Sequence, residues 1–261
     1  MSGLRVTRDG GFARVTLTRP SSRNAFDAEL IDALRAIFDD FAKEAPLALR
    51  GVVLAGEGSV FCAGADVEWM GSAVGLSVEE NERDAAAMQA MFMAIDACPV
   101  PVIARVQGAA LGGGMGLCAV SDIVVSTADA SFGFTETRLG IIPAVISTYV
   151  LPKIGESHAR ALFLSGQRFD AARAQSIGLV HEVVDDEAAL DTRIDELLGE
   201  LTAAGPTAAR TAKALIRELR TLGPDAAREH TVGLIARQRT SAEGQEGLAA
   251  FLQKRPPAWR G

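Results

Sequence analysis

A chain of 261 residues, 48% of them hydrophobic, with a formal net charge of −7 has the length for one large domain or two modest ones around a sizeable core. The acidic balance argues against a nucleic-acid surface, and a phosphate-bearing ligand would need local positive charge against it. No run approaches the roughly 18 uninterrupted apolar residues of a membrane helix, and the opening MSGLRVTRDG holds no apolar stretch of signal-peptide length, so a cytoplasmic protein with no membrane partner is expected.

Residues 4–8 and 12–18 alternate apolar and polar around Asp9, Gly10 and Gly11, which predicts a β-hairpin. SSRNAF at 21–26 reads as a turn, after which Asp27 can cap a helix whose Leu30, Ile31, Leu34, Ile37, Phe38 and Phe41 recur at helical spacing. Residues 51–55 read as a short buried strand leading into the glycine-bearing loop GEGSVFCAGADV. Residues 71–77 lack periodicity and predict a surface loop; 78–98 have helical composition and are stopped by Pro99 and Pro101.

Residues 102–106 predict a strand that feeds GAALGGGMG at 108–116, the stretch around which the chain is organised. Gly112, Gly113 and Gly114 strip the side chains from the backbone, so its N–H groups can approach a ligand oxygen closely. If a helix starts there, its unpaired N–H groups and dipole point at that same oxygen, which suits an anion or a developing oxyanion. Residues 117–120 look helical, and Ala109, Ala110, Leu111 and Met115 distinguish the stretch from a polar linker. Strands are predicted at 122–126 and 130–134. From Glu136, ETRLGIIPAVISTYVLPKIG is an apolar run broken up by Pro143, Pro152 and two glycines. Helices follow at 156–164 and 171–177, the second ending at Gly178, and 180–184 can close the core as a strand. Beyond Glu187 the chain turns helical and charged, which places a candidate domain boundary near residue 190.

The three cysteines, Cys62, Cys98 and Cys118, match neither a disulfide framework nor a CxxC pattern. The sequence has no GxSxG elbow, no P-loop, no HExxH and no GxGxxG, so no metal is expected. His158, His181 and His230 lie far apart in sequence and read as surface or structural residues. Chemistry is left to carboxylates and backbone. The glycine loops at 61–66 and 108–116 each follow a strand, and their N–H groups can converge on one carbonyl oxygen. Glu136, in FGFTETRLG, can face the same spot. An oxyanion hole and a base are the minimum for making and protonating an enolate.

FCAGADV at 61–67, GAALGGGMGLCAVSDIVV at 108–125 and FGFTETRLGIIPA at 132–144 resemble the enoyl-CoA hydratase/isomerase (crotonase) family, and the resemblance runs from SSRNAF to EGLAAFLQKRPPAW near the C-terminus. It implies an α/β (α+β) fold: a spiral core of repeated ββα units over 1–190 and a helical trimerisation domain over 191–261, assembled as a homotrimer or homohexamer. The implied ligand is an acyl-CoA thioester, with no cofactor beyond the coenzyme A that the substrate carries. On the matched positions, the N–H groups of Ala63 and Gly113 hold the thioester oxygen, and Glu136 handles the proton or activates water. Ala25, Ala65, Asp66 and Val67 line the CoA arm, mostly through backbone, and Arg23 and Lys254 offer charge to its phosphates. Trp69, Met70 and 71–85 line or cover the acyl end, Tyr149 can offer a hydroxyl there, and Asp122 reads as a structural acceptor.

One position departs from the resemblance. Family hydratases with two acids carry the second three residues after the central glycine, where this chain has Gly116. With a single carboxylate, Glu136 does both proton transfers, or Asp66, Glu68 or another acid substitutes. The stretch IIPAVISTYVLPKIGE resembles hydratase-type members that act on branched or methylglutaconyl-like thioesters. Enoyl-CoA hydration is the expected activity; the alternatives are delta-isomerisation with one glutamate and acyl-CoA binding without turnover.

Overall fold

Alternating apolar positions pair β1 (Leu4–Asp9) with β2 (Phe12–Leu17) as an antiparallel hairpin, and Gly10 and Gly11 supply the two left-handed residues its turn needs. The computed structural model describes residues 3–260, apart from the side chain of Val67. Asp27 caps α1 (Ala28–Phe41) by accepting from Leu30 N at 2.8 Å. β3 (Gly51–Gly56) follows, then the short α2 (Val67–Ser72) and the long α3 (Val78–Asp96), which opens on a capping box between Ser77 and Glu80.

β4 (Val102–Val106) leads through β5 (Ala109–Leu111) into α4 (Gly113–Val120), and β6 (Ile123–Thr127) through β7 (Ser131–Gly133) into α5 (Ala144–Ser165). The chain continues with β8 (Arg168–Asp170), α6 (Ala171–Ser176), β9 (Glu182–Val184) and α7 (Glu187–Ala203), and then α8 (Pro206–Leu219), α9 (Pro224–Thr240) and α10 (Ala242–Leu252).

The strands form two layers. The main sheet runs β1-β2-β3-β4-β6-β9, parallel beyond the hairpin; the small one runs β5-β7-β8. After each of β2, β3, β4 and β6 the chain makes a short step into the second layer, at Phe26, at Cys62 and Ala65, at β5 and at β7, before its helix. Repetition of that step winds the core into the α/β spiral of ββα units. Phe26, Phe38, Phe61, Phe92, Phe132 and Phe134 fill its centre. The other face of the main sheet is covered by α7, whose Leu190, Ile194 and Leu197 pack on Val53, Ile103 and Val125. Burial on both faces explains why β3 and β4 read as continuous apolar runs. The exception, Arg105 on β4, is paired with Glu187 and Asp191 of α7.

Two elements differ from the sequence reading. The helix expected over 117–120 starts earlier, at Gly113, on the triglycine itself, which meets the condition set above for its N–H groups. The run after Glu136 is mostly helix: α5 starts directly after Pro143, passes through Pro152 and kinks at Gly155, where φ is +73°. Ile146, Val150 and Ile154 are buried at a spacing of four, and this face packs on α4 strongly enough to override the breakers.

An arginine and a lysine of α8 tie the last helices to the core through main-chain carbonyls. Arg210 donates to Glu44 O, Ala45 O and Leu49 O, and Lys213 to Val100 O. Val232, Ile235, Leu248, Phe251 and Leu252 on α9 and α10 stand exposed. Among the described residues no helix is long and apolar enough to cross a membrane.

Candidate active site

The second layer brings the two glycine loops into contact. Leu111 N donates to Cys62 O at 3.0 Å and Cys62 N to Ala109 O at 3.1 Å, so 61–66 and 109–113 run side by side. Gly64 (φ +93°) and Gly112 (φ +49°) adopt left-handed backbone at the point of closest approach. A Cβ on Gly64 would stand 2.8 Å from Leu111 O and 3.1 Å from Gly113 N. No side chain fits between the loops, which leaves backbone N–H groups as the surface they present.

Hydrogen-bond accounting decides which N–H groups are free. Ala63 N donates to Arg23 O at 3.0 Å, so the expectation that Ala63 holds the thioester oxygen is corrected: its N–H is already used within the fold. Phe26 N donates to Gly64 O and Asp66 N to Phe26 O, both at 2.7 Å. Successive N–H groups of an extended chain point to opposite sides, so Ala65 N–H, next to Asp66, faces away from Phe26, and no described residue accepts it. Gly113, the first residue of α4, likewise has an N–H with no acceptor among the described residues. Ala65 and Gly113 are therefore the free pair, and both line one cavity of about 350 Å³.

Glu136 sits in the first turn of a 3₁₀ segment, Thr135–Leu139, and lines the same cavity. Its Oε1 lies 3.5 Å from where a Cβ on Gly112 would be. Its Oε2 is buried with no hydrogen-bond partner among the described residues. Burial pushes the carboxyl above the ordinary glutamate range, against a weaker opposing hydrogen bond from its own backbone. An under-solvated carboxylate beside two free N–H groups can move a proton at a carbon α to a carbonyl that those groups polarise.

No second acid occupies the position that family hydratases use. A Cβ on Gly116 would come within 2.5 Å of Ile146 Cγ2 and 2.6 Å of Phe92 Cζ; aliphatic and aromatic side chains fill that room. Asp66 does not substitute, because its carboxylate caps α2 through Glu68 N and Trp69 N and pairs with Arg19. Glu68 is exposed and outside the cavity lining.

Trp69 and Met70 do line the cavity, as expected of the acyl end. From the expected stretch 71–85, Asn81 and Asp84 line it too, carried on the helix α3 and not on a loop; Met88 of α3 and Ile142 and Ile146 from the start of α5 lie beyond that stretch and are not singled out by sequence reasoning. The signal was present as helical spacing, since 81, 84 and 88 share one face of α3.

Ala25 is buried in the turn beside the site, and Arg23 is exposed with its carbonyl engaged by Ala63. Val67 opens α2, and its side chain lies outside the described residues. Lys254 follows α10, which packs on α8 and α9, and it does not line the cavity. Tyr149 packs on Phe92, accepts from Gln89 and stays out of the lining. Asp122 accepts from Val102 N and Lys213 Nζ, a structural role. His181 Nδ1 accepts from Val124 N, and His230 pairs with Glu218. Burial pushes the thiols of Cys62 and Cys118 up to about 12, which keeps them protonated and unreactive.

The chain resembles known proteins over nearly its whole length. A sequence profile described as "Enoyl-CoA hydratase/isomerase" matches residues 7–261. The chain is 33% identical to enoyl-CoA hydratase AKT6-1 of Alternaria alternata, over 97% of this chain and 83% of that one. It is 31% identical to 2,3-dehydroadipyl-CoA hydratase of Escherichia coli, over the full length of both. A solved enoyl-CoA hydratase from Shewanella pealeana superposes with a TM-score of 0.93 at 36% identity, covering 98% of this chain and 96% of that one.

Proposed function

The chain belongs to the enoyl-CoA hydratase/isomerase family, and from that premise we propose that it is an enoyl-CoA hydratase that works with one carboxylate, Glu136. The observation that carries this reading is the buried, unpartnered Oε2 of Glu136 in a cavity shared with the free N–H groups of Ala65 and Gly113. The thioester carbonyl oxygen accepts from those two N–H groups. Glu136 takes a proton from water, the water oxygen attacks C3, and the electron pair moves through C2 to leave an enolate. Protonated Glu136 then returns the proton to C2, so one water is added and the enzyme ends as it began. Each N–H donor to the enolate oxygen is worth about 10²–10³ in rate.

A second reading is supported by the filled space at Gly116. With one acid at the reacting carbons, Glu136 can also carry a proton between C2 and C4, which is delta-isomerisation. The assembly that the family resemblance implies, a homotrimer or homohexamer, is supported by the exposed apolar residues of α9 and α10.

The test is hydration of crotonyl-CoA by the purified protein, followed by loss of the conjugated thioester absorbance. Glu136→Gln keeps the shape and loses the base, so turnover falls by about 10²–10⁴-fold while thioester binding persists. Retained turnover in the variant removes Glu136 from the mechanism. Product from 3-enoyl-CoA, with no oxygen taken up from labelled water, selects isomerisation.

A further inference from the structure

Arg19 occupies a junction that the proposed chemistry leaves unexplained. Its guanidinium donates through Nη1 to Ala25 O at 3.1 Å and pairs with Asp27 Oδ2 at 2.5 Å; through Nη2 it pairs with Asp66 Oδ2 at 3.2 Å. Both carboxylates are helix N-caps. Asp27 Oδ1 accepts from Leu30 N at 2.8 Å at the start of α1, and Asp66 Oδ1 from Glu68 N at 2.9 Å at the start of α2. Each caps its helix with one oxygen and gives the other to Arg19, so one guanidinium fork holds two helix starts together. The planar fork suits this bridge, and a lysine could satisfy only part of it.

The backbone of Arg19 is fixed as well. Its N–H donates to Asn24 Oδ1 at 2.9 Å, and the fully buried Asn24 donates to Glu57 O at 2.9 Å and Val60 O at 2.7 Å. Arg19 thus projects from a turn anchored to the end of β3 and reaches across to the segment that follows it. Asp66 directly follows Ala65, whose N–H is one of the free pair, and α2 carries Trp69 and Met70 on the cavity wall.

We infer that Arg19 is a positioning residue for the thioester site: by gripping the N-cap carboxylates of α1 and α2 together, it sets the direction of the Ala65 N–H and the placement of the α2 wall. The inference rests on the proposed use of Ala65 and Gly113 as oxyanion donors. A donor displaced by about 1 Å costs on the order of 10²-fold in rate. The loss falls on kcat, because the donor acts most strongly on the enolate.

The test compares Arg19→Ala, Arg19→Lys and Asp66→Asn with the wild type in the full-length protein. Arg19→Ala lowers kcat by about 10–100-fold with a smaller change in KM, Arg19→Lys falls between, and added guanidinium restores part of the Arg19→Ala loss. Asp66→Asn keeps a capping oxygen and loses the ion pair, so it reproduces the kcat loss and keeps the test open if Arg19→Ala fails to fold. A drop in Tm with kcat unchanged per folded molecule overturns the inference. Amide hydrogen exchange gives a readout independent of turnover: in Arg19→Ala, residues 65–72 exchange faster while β3 and β4 stay protected. Unchanged exchange at 65–72 overturns the inference even if the wild type hydrates no thioester; faster exchange there, in a protein without turnover, supports the positional hold and sinks the hydratase reading alone.

Discussion

The two ends of the cavity are built from different material. The end proposed here to hold the thioester is mostly backbone: Ala65 and Gly113 offer N–H groups from segments locked to each other and to Phe26, and Glu136 supplies its one acidic side chain. The end proposed to take the acyl group is made of side chains from α2, α3 and the start of α5, among them Trp69, Met70, Asp84, Met88 and Ile142. Ile142 is 70% exposed, whereas Phe92 and Ile146 beneath Gly116 are buried. The difference teaches where change is tolerated. The free N–H groups come from loops packed too closely at Gly64 to accept a side chain, and on the proposed reading the residues at the acyl end can be exchanged singly.

The strongest challenge to this contrast is to force a side chain into the tight end. Gly116→Glu places a carboxylate where Ile146 and Phe92 already stand. We expect overpacking alone to cost about 1–3 kcal/mol, with the desolvated charge adding to it, and hydration not to rise. Urea unfolding and steady-state rates check both; a gain in hydration would show that the pocket opens for a second acid. Adding Ile146→Ala to the variant removes the nearest clash and recovers part of the lost stability.

At the acyl end the expected effects are selective. Met70→Ala enlarges the cavity beside Trp69 and shifts preference toward longer or branched acyl groups by about 10–200-fold in relative kcat/KM, with a much smaller effect on crotonyl-CoA. Competing thioesters of increasing chain length measure it. An equal fall for every chain length would mean that Met70 supports the thioester end instead.

The sequence exposes this contrast only in part. The hairpin, the Asp27 cap, the three parallel strands β3, β4 and β6 and the long α3 announce themselves through local pattern, and the glycine loops with Glu136 mark the site. What is hidden depends on distant partners. Nothing in FCAGADV says that Ala63 N–H is consumed by Arg23, forty residues earlier, while Ala65 N–H stays free. Gly116 reads as a missing acid until Phe92 and Ile146 are seen filling its room. Pro152 reads as a breaker because the packing of Ile146, Val150 and Ile154 that carries α5 through it is tertiary. Arg19 acquires a role only when Asp27 and Asp66 fold against it.

The smallest expected effect concerns the one acidic side chain at the thioester end. Because burial raises the Glu136 carboxyl above its ordinary value, its contribution to stability has a definite sign. Below the ordinary glutamate range the folded and unfolded chains both hold the proton, and the residue costs nothing through titration. As pH rises through that range the unfolded chain ionises first, and the folded chain must keep the proton or bury a charge, so stability falls until the raised value is passed and stays lower above it. Glu136→Gln removes this penalty. Its Tm therefore exceeds that of the wild type at neutral pH, and the gap closes in acid; a difference of about 1 kcal/mol reads as about 2–4 °C at this size. The same titration creates the base, so wild-type kcat/KM climbs with pH over the window in which stability declines. Opposite slopes in one window tie the cost in stability to the catalytic proton, and a Tm gap between the two proteins that ignores pH would separate them.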